Sequence, residues 1–331
     1  MKNSEGRRLI TAGALIVAVW AVITLLMVTG IMPRSFQSLT IKICYYVILT
    51  LSLDLIVGYL GDLSLGHAAF YAVGGYVGCF VALSMGDGVP LALRFIVALI
   101  VGGIAAAIIG FLISSAIIKL KGDYLAIVTL AFGEFVRSFV KIIPGFGGTK
   151  GLNGIPSFTS KTTGFTAAYV VMVLVIAIIY NFTHSRQGRV VTAIRDNAIA
   201  AASVGINIRQ NKILVFTLAS FMAGVAGVIF GFYKSTLVPT DFTYNLSIEV
   251  LVMVVLGGMG SIKGSIIASV IIVALPEVLR GAADYRMLIY AVALIAMMML
   301  NASPKFRAFK EAVSSRFDKL TKTVKKGDAV K

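Results

Sequence analysis

The chain has 331 residues, 58% of them apolar and only 13% Asp, Glu, Lys or Arg. A soluble domain carries about 25% charged residues, so half of a water-facing shell is missing and lipid must take its place. The formal net charge of +16 would suit nucleic acid, but the Lys and Arg residues lie between long apolar runs and at the two ends, a membrane-topology pattern that argues against nucleic-acid binding and for contact with lipid headgroups.

Runs of about twenty apolar residues mark membrane spans. The first, 9–29, follows Lys2, Arg7 and Arg8; its length suits a full span, and no small-residue cleavage pattern follows, so it reads as a retained first helix. Further runs cover 39–60, 62–84, 91–118, 166–182, 211–233 and 286–301, and 123–143 is apolar but carries Glu134 and Arg137. The stretch 247–279 is too long for one helix; Gly257, Gly258, Gly260 and Gly264 interrupt it beside Lys263, so it reads as two helices and a tight turn. The fold class is therefore all-α: a polytopic membrane helical bundle of about ten transmembrane helices, with broken or re-entrant segments and cytoplasmic N- and C-termini. At that count Lys119 and Lys121, the loop 183–210, Lys263 and the basic tail fall on the side of the N-terminus, as the positive-inside rule requires. Residues 1–302 form the transmembrane domain and 303–331 a basic cytoplasmic tail, lying on headgroups as a short helix or solvated.

Small residues recur along the spans: Ser64, Gly66, Ala68, Ala69, Gly74, Gly75 and Gly78 in the third, Gly102, Gly103 and Gly110 in the fourth, Gly224, Gly227 and Gly231 in the seventh. They let helix backbones approach closely where no hydrophobic effect drives association. The segment 144–165 reads as a flexible extracytoplasmic loop that touches a partner. Its Gly147–Gly151 run does not meet the phosphate-loop pattern, and no strand precedes it.

No catalytic chemistry is legible. Cys44 and Cys79 sit in apolar runs as small hydrophobes, and His67 and His184 have no partner at metal or triad spacing, so neither a metal site nor a cofactor is expected. The candidate intramembrane ionisable residues are Asp54, Glu134 with Arg137, and Glu249. Glu134 and Arg137 are three apart and share a helix face, either as a structural ion pair or as a substrate or proton site. Asp54 either faces a polar cavity or caps another helix, and Glu249 begins a helix after Ser247, where a carboxylate complements the dipole.

The loop SRQGRVVTAIRDNAIAAASVGINIRQNK is long for a bundle connection. Val190, Val191, Ile194, Ala198 and Ala201 recur at helical spacing, with Arg189, Arg195 and Asp196 off that face and a turn at Gly205. Such a short helix either docks in a groove of another protein or lies on the inner membrane surface; the residues alone leave both open.

Five stretches in order, GYLGDLSLGHAAFYAVGGY (58–76), LKGDYLAIVTLAFGEFVR (120–137), GLNGIP (151–156), GRVVTAIRDNAIAAASVGIN (188–207) and SIEVLVMVVLGGMGSIKG (247–264), resemble the permease subunits of branched-chain amino-acid ABC importers, of the LivM type, over about residues 40–300. The resemblance implies a non-enzymatic transport subunit of the bacterial inner membrane. It implies a second related permease, two cytoplasmic ATPases, a periplasmic or surface binding protein and an amino-acid substrate such as Leu, Ile or Val. Urea, short amides, other amino acids and a stand-alone secondary carrier are the alternatives. The family's docking core maps onto Ala200, Ala201 and Gly205, with Gly188, Arg189, Arg195 and Asp196 around it; Ala198 and Ala202 stand where the family often has an acidic residue. For the translocation pathway the small and polar residues nominate Ser64, Gly66, His67, Gly74, Thr129 and Glu134.

Overall fold

A computed structural model describes residues 2–30, 32–86, 88–120, 122–158 and 160–279, with 291, 292 and 295 beyond them. The chain divides into Met1–Glu277 and Val278–Lys331, and the architecture below is that of the first unit. It is built from α1 (Lys2–Val28), α2 (Arg34–Asp54), α3 (His67–Ser84), α4 (Leu91–Ile117), α5 (Asp123–Ile142), α6 (Lys161–His184), α7 (Arg186–Asp196), α8 (Ala198–Ser203), α9 (Ile208–Lys234), α10 (Tyr244–Gly257) and α11 (Ile262–Val278). A π-helical turn, Leu55–Leu60, extends α2. Among the described residues five helices are long and apolar enough to cross a membrane: Arg34–Leu60, His67–Ser84, Leu91–Ile117, Lys161–His184 and Ile208–Lys234. The expected span at 286–301 and the tail 303–331 lie outside the described residues.

α4 shows why lipid is the solvent. Leu93, Ile96, Ile100, Ile104, Ile108, Phe111 and Leu112 all point outward, whereas Ala98, Gly102, Gly103, Ala106 and Gly110 face the interior. Large apolar residues outside and small ones inside invert the water-soluble pattern and match membrane helix packing. The small side meets α3 and α9. A side chain added at Gly74 would fall on the Gly224 backbone, and one added at Gly102 on the Gly74 carbonyl. Gly227 likewise abuts the Tyr71 carbonyl. These three helices touch backbone to backbone, and the contact leaves no space for a Cβ.

Four expectations change. The third span does not start at 62: residues 61–66 are not helical and α3 begins only at His67, so Ser64 and Gly66 lie on an irregular link rather than a helix face. Glu249 does not open its helix, because α10 starts at Tyr244; it sits in the second turn, where the Tyr46 hydroxyl donates to it at 3.3 Å. The segment 144–165 is packed rather than flexible up to Ile155. Leu152–Asn153 pairs antiparallel with Thr236–Leu237, Ile155 N–H donates to the Ser235 carbonyl, and Leu152 and Ile155 are buried. The loop after α6 holds two short helices rather than one. The stretch 247–279 divides into α10 and α11, as its glycines require.

Replacing Gly224 with Leu should destabilise the bundle by about 1–3 kcal/mol through overpacking. Gly88→Ala, where nothing lies within 4 Å, should leave it unchanged. Thermal melting of the detergent-solubilised protein followed by size-exclusion chromatography checks this; equal midpoints would refute the backbone contact.

Candidate functional site

The most irregular part of the bundle is the link between α2 and α3. The π-helical turn closes with Gly61 in the left-handed conformation at φ 80°, where its N–H bonds back to the Ile56 carbonyl. Residues 61–66 then run without helical hydrogen bonds before α3 begins. Away from water, every backbone group freed by such a break needs a protein partner. The structure supplies them from three different elements.

At the α3 end, Leu65 N–H donates to Thr129 Oγ1 at 3.0 Å and Ala68 N–H donates to Ser247 Oγ at 3.0 Å. Gly66 lies so close to the Thr129 carbonyl that no side chain fits there. Thr129 (α5) and Ser247 (α10) thus serve as the N-terminal caps that α3 lacks in its own sequence. At the π-helical end, Arg195 Nη1 donates to the Gly58 carbonyl at 2.9 Å. Asp54, the last residue of α2, accepts from Gly260 N–H at 2.8 Å and from Ser265 Oγ at 3.3 Å. Of the two alternatives for Asp54, the helix-capping one holds: its carboxylate sits at the start of α11. Asp62 forms an ion pair with Lys212 of α9 at 2.6 Å, with both side chains about nine-tenths buried.

Within this framework His67 is fully buried. Its Nε2 lies 2.7 Å from Ser52 Oγ, which donates its own proton to the Leu49 carbonyl at 2.8 Å. The serine hydroxyl has one proton, so it accepts from Nε2–H, and Nδ1 is left as the bare acceptor. Among the described residues Nδ1 has no hydrogen-bond partner, nor has the buried Ser64 Oγ.

Of the six pathway candidates, the structure therefore gathers Ser64, Gly66, His67 and Thr129 around one break. Gly74 is elsewhere, wedged against Gly224 as a helix contact. Glu134 is also apart: it pairs with Arg137 at 2.6 Å and accepts from Tyr244 N–H at 3.3 Å, which ties α5 to the start of α10. Ser247 could not be read as a cap from residue order, because its partner lies 179 positions away. Neither was the Arg195–Gly58 contact visible, since a carbonyl freed by a π-turn leaves no mark in residue type.

The second cluster is the elbow after α6. Three side chains punctuate it as N-caps. Ser185 Oγ accepts from Gly188 N–H at 3.2 Å, Asn197 Oδ1 from Ala200 N–H at 3.0 Å, and Asn207 Oδ1 from Gln210 N–H at 3.1 Å. Asn197 is extended at φ −157°, ψ 101°, which is why the expected single helix splits into α7 and α8. Gly188 packs against the carbonyls of Phe182 and Thr183, while Val191, Ile194 and Ala201 face the bundle. Arg189 reaches back to the His184 carbonyl at 3.2 Å, and Asp196 holds the Arg195 guanidinium at 3.0 Å. On the outer side of α8, Ile199 is 84% and Val204 76% exposed, flanked by exposed Ala200 and Ala202. Gly205 ends this knob at φ 85°, a backbone conformation that disfavours any side chain. No group of three or more metal-ligating side chains is present among the described residues.

Residues 35–302 match the family of branched-chain amino acid transport system permease components. The chain belongs to this family. It is 34% identical over 285 residues to the high-affinity branched-chain amino acid transport system permease protein LivM of Escherichia coli (strain K12), covering 77% of this chain and 66% of that protein. A probable branched-chain amino acid transport permease protein LivM of Methanocaldococcus jannaschii is 28% identical, over 66% of this chain and 74% of that protein. The LivH permease of the same E. coli strain is 24% identical, over 69% and 79%. The chain spans about two thirds of the length of its LivM relatives from E. coli and Salmonella typhimurium.

Removing the cap hydroxyls in Thr129→Val and Ser247→Ala should each cost about 1–3 kcal/mol, because each strands a buried N–H. Thermal melting of the purified variants reads this directly, and wild-type midpoints in both would show that the break is satisfied some other way.

Proposed function

We propose that this chain is one permease subunit of an ATP-driven importer of branched-chain amino acids in the bacterial inner membrane. A related permease completes the pathway, two ATPases bind the cytoplasmic face, and a binding protein delivers substrate from outside. The chain performs no hydrolysis; it converts movement of the ATPases into movement of the bundle. It crosses the membrane ten times, with both termini in the cytoplasm.

One contact carries the coupling part of this reading: Arg195 reaches from the elbow to the Gly58 carbonyl in the π-helical turn. The exposed α8 knob, with its apolar Ile199 and Val204, is the surface on which an ATPase groove fits. A push on α8 passes through Asn197 to α7, and Arg195 delivers it to the turn that leads into residues 61–66. The Asp62–Lys212 pair fastens the same link to α9. Rearranging the link opens or closes the region of Ser64, His67 and Thr129. A bistable element biased from one end by a partner is what alternating access needs.

Two variants separate docking from transmission. Ala200→Trp places bulk on an exposed, unstrained position and should abolish co-purification of the ATPases without affecting membrane insertion. It is a cleaner probe than Gly205, where any side chain also strains the turn. Arg195→Gln should instead retain the ATPases at wild-type ratio yet lower ATP-driven uptake by about tenfold or more, the effect of losing a charge-assisted hydrogen bond. Full uptake by Arg195→Gln would remove the coupling role. For topology, a single cysteine placed at Ser203 should react only with a reagent that reaches the cytoplasm, and one at Asn153 only from outside.

A further inference from the structure

The elbow and the break occupy one end of the bundle, and a separate cavity opens at the other. It measures about 400 Å³ and is lined by Lys42, Tyr45 and Tyr46 of α2, Tyr71 of α3, Phe230, Tyr233 and Lys234 of α9, Asp241 and Leu246. That volume lies in the range of small-molecule sites. α9 starts beside the elbow and ends here; its 27 residues span about 40 Å, a full membrane thickness. The cavity is therefore on the face opposite the knob.

Its walls combine two chemistries. Tyr45, Tyr71 and Phe230 form an aromatic group, with ring centres 5.5 Å apart for both Tyr45–Phe230 and Tyr71–Phe230. Tyr45 stacks on Tyr46 at 5.1 Å. Around this group stand charges of both signs. Lys234 pairs with Asp241 at 2.5 Å and lies over the Phe230 ring at 5.6 Å from its centre. The Tyr46 hydroxyl leads to Glu249. Lys42 forms no ion pair among the described residues, although it stands more than two turns inside a membrane-crossing helix. A cation at that depth faces a water-filled cavity or a partner group. Lys42, Lys234 and Asp241 thus stand in the wall around an aromatic floor, with Glu249 behind Tyr46.

Lys42 stands apart from the Lys234–Asp241 pair, so the wall offers charges of both signs at separate points, an arrangement that suits one dipolar molecule with an apolar part. We infer that this cavity is the substrate chamber of the chain and receives a free zwitterionic α-amino acid. Lys42 and Lys234 take the carboxylate. Asp241 and the faces of Phe230 and the tyrosines take the ammonium, the latter through cation–π attraction. The aliphatic side chain rests on Tyr71 and Leu246. Urea or a short amide would leave both charge sets unmatched and much of the volume empty. This inference rests on the transport reading and supplies its substrate contacts.

The test uses the complete importer in proteoliposomes and photo-leucine, a diazirine analogue of leucine, as the probe. After illumination, adducts should map to peptides carrying Tyr71, Phe230 or Tyr233. Excess leucine should suppress them, whereas 4-methylpentanoate, which lacks the ammonium, and 3-methylbutylamine, which lacks the carboxylate, should be weaker competitors by about tenfold or more. Lys42→Gln, which breaks no ion pair among the described residues, should lower adduct yield and leucine uptake to a similar degree; Asp241→Asn supplies the matching change for the ammonium. Adducts elsewhere in a transporting importer, or equal competition by urea, would overturn the chamber while leaving the transport reading in place. Specific adducts without any ATP-driven leucine uptake would instead overturn the transport reading.

Discussion

Everything in this bundle depends on how it satisfies a broken backbone where water is scarce. A continuous helix across a membrane closes its own hydrogen bonds; a helix that stops at residue 60 and restarts at 67 does not. The freed groups are met by Thr129, Ser247 and the Arg195 guanidinium, each from a different element, while the buried Asp54 at the end of α2 caps α11. The break thus becomes the place where α2, α3, α5, α7, α10 and α11 are all tied together. A stress on any one of these partners is felt there, because no group can be released without stranding another.

Glycine contacts give the opposite kind of connection. Gly74, Gly102 and Gly224 lock α3, α4 and α9 through main-chain surfaces, with no side chain able to rotate out of the way. The result is a stiff three-helix block next to a polar, rearrangeable link. Stiffness and adaptability are divided between residue types: small residues in the block, hydroxyls, a carboxylate and an arginine in the link.

Much of this was legible from the chain, and the reasons are specific. Long apolar runs and the grouping of Lys and Arg reported the helices, because length and charge act locally. The glycines at 257–264 marked the α10–α11 turn for the same reason. The elbow was found by its spacing of Val191, Ile194 and Ala201, but its division at Asn197 was not, since an Asn that caps reads the same in sequence as one that does not. The start of α3 was misplaced because Leu63 and Leu65 carry the apolar run on towards His67, and only Thr129 and Ser247, far away in sequence, permit the chain to stay non-helical there. The aromatic cavity was missed entirely: its residues come from α2, α3, α9, α10 and the α9–α10 connection, and an intramembrane tyrosine looks like any core residue until its neighbours are known.

The position of the glycine contact along α9 has a mechanical consequence. Gly224 and Gly227 lie about 24–28 Å from the elbow end of this helix but only about 10–15 Å from the cavity end, taking the usual rise per residue. Treated as a rod pivoting on that contact, α9 is a lever with its fulcrum well off centre. A tilt would sweep the long arm on the elbow side about twice as far as the short arm beside the cavity, and in the opposite direction. Such a geometry trades distance for force: a wide, weak displacement at the elbow becomes a small, strong one where Phe230, Tyr233 and Lys234 stand.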